Sequence, residues 1–151
     1  MPSANRRIHR ASDKEQLIKR LTSENDIFKE IWRLLIFASK VGWVNCKRAP
    51  LKSFDSGKGI DQTTFGNCAA WSGLVLLMSI AENNSEKYLS GDYLIDQERI
   101  TIFEEFANGG LEIMGEYFLH KTANLDGILE FIASLSGNSN SNSVIDLDIK
   151  F

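Results

Sequence analysis

The segment FEEFANGGLEIMGEYF, residues 103–118, places small or apolar residues at Phe106, Ala107, Gly110, Ile113, Met114 and Tyr117, in steps of three and four. That spacing marks one face of an α-helix, and its phase runs unbroken through the adjacent Gly109 and Gly110. Each glycine inside a helix costs about 0.8–1 kcal/mol against alanine, so the pair forfeits nearly 2 kcal/mol unless packing offsets it. The kept phase favours a continuous helix in which Gly109 and Gly110 are structural close-packing positions. They would let another helix, the central one, come nearer than the usual spacing of about 8–10 Å. The alternative is a hinge, with one helix ending at the glycines and a second beginning at Leu111.

Helical signals recur along the chain. Ser12 to Glu15 has the spacing of a capping box and predicts a short helix with Leu17, Ile18 and Leu21 inward. Ser23 to Asp26 repeats the start signal ahead of a stronger helix, whose Ile27, Ile31, Leu34, Leu35, Ala38 and Val41 keep helical spacing to a stop at Gly42. Asn67 opens a third, apolar nearly all round through Ala70, Trp71, Leu74, Val75, Leu77, Met78 and Ala81, which assigns it to the centre. Asp96 is the expected N-cap of the long glycine-bearing helix. A last helix runs from about Asn124 to Leu135 with Leu125, Ile128, Leu129 and Ile132 as its core face. Within 43–65, Pro50 and the Asp55-Ser-Gly-Lys-Gly59 cluster break any helix and predict a small β-hairpin or an ordered loop.

The expected architecture is therefore mainly α, a compact bundle of about five helices forming a single domain over 12–135. Residues 1–11 read as a basic N-terminal extension without fixed structure, and 136–151 as a Ser/Asn linker followed by a strand-like tail. In that tail Ile145, Leu147, Ile149 and Phe151 alternate with Asp146, Asp148 and Lys150. These four apolar residues are a partner-docking candidate, adding a strand to a sheet edge on a partner, unless the tail pairs within the domain. The chain has 151 residues with 43% hydrophobic content, which suits one domain with one core. Its start, MPSANRRIHR, lacks the apolar region of a secretory signal, and the greasy run at 69–81 falls short of the ~18 residues needed to span a bilayer. A cytoplasmic protein with no membrane partner is expected.

Motifs for chemistry mostly fail on spacing. Two cysteines (Cys46, Cys68) and two histidines (His9, His120) offer no zinc-type pairing, so no metal or other cofactor is expected. The 55–59 cluster is no phosphate loop, because Lys52 stands where its first glycine belongs and Gly59 where Ser or Thr should follow the lysine. Glu98, Glu105, Glu112 and Glu116 share one stripe of the long helix, which reads as a solvated face or one meeting a basic partner ahead of a divalent-cation site or acid/base pair, the lesser alternative of a small metal-dependent enzyme. No catalytic residue emerges.

Charge is the sharper signal. Residues 1–60 carry a net +7 and residues 61–151 a net −10. Such asymmetry means that the halves neutralise one another, that copies attract as a homo-oligomer, or that the basic half meets nucleic acid while the acidic half meets a protein. Lys47, Arg48 and Lys52, flanked by Trp43 and Phe54, combine phosphate-binding charge with aromatic surface. With Arg6, Arg7 and Arg10 they are the nucleic-acid-binding candidates. Lys14, Lys19 and Arg20 extend the same basic set.

Four segments follow one another in a recognisable order: N-D-I-F-K-E at 25–30, A-S-K-V-G-W at 38–43, K-R-A-P-L at 47–51 and, most specific, I-F-E-E-F-A-N-G-G-L-E-I at 102–113. Over about 12–135 the chain resembles DNA phosphorothioation-associated protein 4, also described as Dnd system-associated protein 4. The resemblance implies a setting in bacterial DNA sulfur modification and linked anti-phage defence, and it carries over no catalytic residues. The function expected is a non-enzymatic accessory or adaptor subunit that binds a larger protein component of such a system. The alternative is a DNA-binding or regulatory module using the basic N-terminal half.

Overall fold

The structure, a computed structural model, describes residues 6–147, with side chains through Ser136. Six α-helices make up the bundle among the described residues: α1 (Glu15–Lys19), α2 (Ile31–Val44), α3 (Gln62–Phe65), α4 (Trp71–Asn83), α5 (Tyr93–Tyr117) and α6 (Leu125–Leu147). A 3-10 turn, Ser12–Lys14, leads into α1, and a π-helical turn, Arg20–Glu24, leads out of it.

The central element is α5, not α4. From Ile102 to Leu111 every α5 residue except Glu105 is buried, so its middle is enclosed on all sides. By contrast α4 buries Trp71, Val75, Met78 and Ser79 and leaves Leu77 63% exposed. Apolar composition all round did not make α4 central, because only one of its faces meets α5. Small residues and paired polar groups allow α5 to be enclosed instead.

α2 lies against α5 more extensively than any other pair of elements. A Cβ on Gly110 would sit 1.8 Å from the Ala38 carbonyl oxygen, and one on Gly42 would sit 2.1 Å from that of Phe106. Only glycine fits where two helix backbones touch. Gly109 meets the loop after α2, with the Lys47 carbonyl oxygen 2.1 Å from its absent Cβ. The partner in the close approach is thus α2 and its following loop, and α5 runs through both glycines without a hinge.

Several helix ends differ from the sequence signals, for local reasons. Ser12 accepts no capping bond, and Glu15 turns to Arg10 and Lys58 instead. Asp26 has φ 51°, a left-handed conformation that short polar side chains tolerate, so it closes the first helical segment rather than opening the next. α2 passes through Gly42 and ends where Cys46 takes φ 53° and the Lys47 amide donates to the Gly42 carbonyl at 2.8 Å. The turn Gln62–Phe65, capped by Asp61, intervenes before α4, which starts at Trp71 rather than Asn67. Asp92 rather than Asp96 caps α5, accepting from the Leu94 amide at 2.8 Å. Asn124 caps the next helix by accepting from Gly127 at 2.7 Å.

Residues 6–11 are an arm docked on the bundle, contrary to the reading of 1–11 as an extension without fixed structure. Ile8 and Ala11 are 1% and 2% exposed, and single antiparallel bridges join Ile8 to Ile60 and Ala11 to Phe54. Of the 43–65 segment, residues 45–61 are accordingly an ordered loop without a hairpin of its own, whose extended backbone pairs with the arm, while Gln62–Phe65 form the short α3 where no helix was expected. At the other end, α6 continues through the Ser/Asn stretch to Leu147. A helix already nucleated on Ile128 and Phe131 is extended at one hydrogen bond per residue, and Ser and Asn cost only tenths of a kcal/mol each. Ile145 and Leu147 therefore belong to a helix rather than a strand, their side chains lying outside the described residues, as do Ile149 and Phe151 altogether.

Candidate functional site

The polar residues of α5 tie three separate segments to the bundle's axis. Glu104 is 4% exposed and receives the Arg6 guanidinium at 2.7 Å and the His9 amide at 2.6 Å. Burial pushes the Glu104 carboxyl above its ordinary range, and the His9 amide and Arg6 partly offset it. Burial also lowers the His9 imidazole, and the Arg6 and Arg7 charges lower it further. His9 lies against Phe54 with ring centroids 4.3 Å apart and the rings tilted by 33°, and its Nδ1 is 3.7 Å from Glu104 Oε2. One turn on, Asn108 donates to the carbonyls of Ala49 and Pro50 at 3.0 and 3.3 Å. Glu105 receives Arg48 at 2.6 Å, while Glu112 faces Lys47 at 3.2 Å and Lys14 at 3.8 Å.

This hub pairs three of the six basic residues that the sequence offered for nucleic acid. Arg6 is paired with Glu104, Lys47 with Glu112, and Arg48 with both Glu105 and Glu82. Arg7 donates to the Gly59 carbonyl at 2.8 Å. Arg10 forks onto Glu15 at 2.7 and 3.2 Å. Lys52 is exposed and has no ion pair among the described residues. The glutamate stripe is likewise occupied at Glu98, Glu105 and Glu112 by Lys87, Arg48 and Lys47. Among the described residues no group of three His, Cys, Asp or Glu side chains is placed to hold a metal ion. Cys46 and Cys68 are both free thiols.

Two surface features are relevant to binding. The first is an open groove of about 590 Å³ lined by Arg10, Lys19, Lys29 and Lys58 around the single carboxylate Glu15. The second is apolar. Leu125, Leu129 and Ile132, at steps of four and three on α6, are 66%, 56% and 40% exposed, whereas Ile128 and Phe131 fill the core. The expected core face of α6 is therefore split, because Phe131 joins Tyr117 and Phe118 in an aromatic cluster and turns Leu125 and Leu129 outward. Beside this stripe lies a cleft of about 270 Å³ lined by Phe37, Val41 and Val44 of α2 with Ile132.

The sequence reading missed Glu104, Asn108, Lys29 and Lys58. Glu104 had a signal: it shares the helical phase of Ala107 and Leu111, and a carboxylate on an inward face needs a partner. Lys29 and Lys58 had none, because they join Lys19 only through tertiary folding.

A family model described as DNA sulphur modification system-associated protein 4 matches residues 7–149, reaching beyond 12–135 at both ends. No curated protein and no solved structure matches the chain. No helix among the described residues is long and apolar enough to cross a membrane.

Proposed function

Because this chain belongs to the DNA sulphur modification system-associated protein 4 family, we propose that it serves that system as a non-enzymatic accessory subunit, docking on a larger protein component in the cytoplasm. Its setting would be anti-phage defence linked to DNA modification. The observation that carries this reading is the outward stripe Leu125, Leu129 and Ile132 beside the α2 cleft. A helix that already fills its core with Ile128 and Phe131 gains nothing internally from these further apolar side chains. An exposed apolar row of this spacing matches the anchors of helix-in-groove recognition. The polar signature of α5 supports the same view from the other side, since its carboxylates and amide hold the protein's own segments.

Co-expression with the proteins of a DNA sulphur modification system tests the proposal by affinity recovery. Leu125→Glu with Leu129→Glu is expected to cut recovery of a defined component by about tenfold or more, as loss of buried apolar anchors does. Circular dichroism should be unchanged, because both residues are exposed. Recovery unaffected by the double substitution would overturn the reading. So would sedimentation showing that the stripe is covered by a second copy of this chain.

A further inference from the structure

The groove between the arm and the first helical segment gathers four cations, two paired with Glu15 (Arg10 and Lys58) and two on exposed side chains (Lys19 and Lys29). Arg10 and Lys58 converge on Glu15, Lys58 at 2.9 Å, which leaves that carboxylate doubly engaged. Lys19 and Lys29 are exposed, and their ammonium groups make no ion pair or hydrogen bond among the described residues. Glu30, next to Lys29, is committed to Arg33 and to the Trp32 indole. Four cations and one carboxylate therefore line an open groove of about 590 Å³, on a protein whose net charge is −3. Nothing in the fold requires this concentration. Like charges gathered around one groove raise the energy of the empty state and favour an anion there.

The geometry points to this groove as a binding site for the phosphodiester backbone of duplex DNA. It is open rather than enclosed, so it suits a passing polyanion better than a small ligand that must be surrounded. Its lining includes no aromatic ring, so it has nothing on which an unstacked base could rest, and this favours duplex over single strand. Lysines on flexible stems contact phosphate as point charges, and the exposed Gln16 amide adds a neutral donor. The apolar floor of Ile18 and Ile31 offers no base-edge readout, so binding is independent of sequence. The choice of DNA among polyanions rests on the family's association with DNA modification; the position of the site does not. The site also differs from the Lys47, Arg48 and Lys52 cluster expected from the sequence, of which the first two are paired with carboxylates.

The test is fluorescence anisotropy with the full chain on a plain duplex, a phosphorothioate duplex and a single strand, between about 50 and about 200 mM salt. With three to four phosphates contacted, duplex affinity is expected to fall by about 40- to 150-fold across that range. Lys19→Ala with Lys29→Ala should weaken binding and lower the log–log salt slope by about 2, while the paired Lys→Arg substitutions retain both. Lys52→Ala should leave the slope unchanged. No salt-sensitive duplex binding would overturn the inference, as would a slope that the double alanine variant leaves intact or that Lys52→Ala alone lowers. Displacement of duplex by millimolar inorganic phosphate at constant ionic strength would assign the groove to free phosphate and overturn the DNA assignment. Leu125→Glu with Leu129→Glu should keep duplex binding in full, so loss of partner recovery and loss of DNA binding are separable results.

Discussion

At the residue scale, the glycines separate two roles that the sequence alone renders alike. Gly110 and Gly73 are both helical, yet an added Cβ meets the Ala38 backbone at 1.8 Å in the first case and nothing within 4 Å in the second. Gly110→Ala forces α2 and α5 apart at a point where neither backbone can yield alone. The expected loss is about 1–3 kcal/mol, larger than the helix propensity gained. Gly73→Ala keeps its helical backbone and restricts the unfolded chain, for an expected gain of about 0.4–1 kcal/mol. Urea midpoints of the two variants should therefore move in opposite directions. A Gly110→Ala midpoint at or above that of the parent would mean the helices do not meet there. Unbroken phase around Gly109 and Gly110 made the continuity of the helix legible in the sequence. The identity of the facing element was not, since Gly42 looked like a helix stop and is instead the opposite half of the contact.

At the scale of elements, the arm is where sequence and structure diverge most. Six polar or basic residues out of the first ten suggested a loose extension, but Ile8 and Ala11 are inserted into the core and Glu104 anchors the backbone between them. Local composition could not reveal this, because the arm's partners, the 54–60 loop and α5, are distant in sequence. One carboxylate joins the arm, α1 and that loop: Glu15 accepts from Arg10 and Lys58. The Arg10 hydrogen bonds hold the Glu15 carboxyl below its ordinary 4.5; partial burial opposes them, and Lys58 adds to them. Below pH 4.5 the unfolded chain thus binds more protons at this position than the folded one. The resulting stabilisation is fully present above 4.5 and is lost as the pH falls through the depressed folded value. The stability difference between the parent and Glu15→Gln should be constant above that point and shrink below it. Urea unfolding from about pH 6 down to about pH 3 would show this. A difference that grows on acidification would contradict the assigned pairing. The tail makes the converse point about elements: alternation at 144–151 reads as a strand, but Ile145 and Leu147 continue α6 because the helix preceding them is already formed.

For the whole molecule, the division into a basic first half and an acidic second half becomes a folding device. Arg6, Lys14, Lys47 and Arg48 all come from the basic part, and they meet Glu82, Glu104, Glu105 and Glu112 from the acidic part. Three of these four carboxylates lie on α5, so the central helix gathers the arm, the first helical segment and the loop after α2 by one electrostatic logic. Each pair is partly exposed except at Glu104, and such pairs contribute about 0.2–1 kcal/mol apiece. Their sum still biases which half packs on which. If attraction between halves outweighs repulsion within them, sodium chloride should lower stability as it is raised from about 50 mM to about 1 M, where the screening length falls to about 3 Å. A double-mutant cycle on Arg48 and Glu105, whose atoms approach to 2.6 Å, isolates the effect from general salt action. The coupling should be about 0.3–1 kcal/mol at low salt and shrink toward zero at high salt. A coupling indifferent to salt would assign the pair's worth to packing. A stability that rises with sodium chloride would show that self-repulsion dominates and that the paired charges do not hold the two halves together.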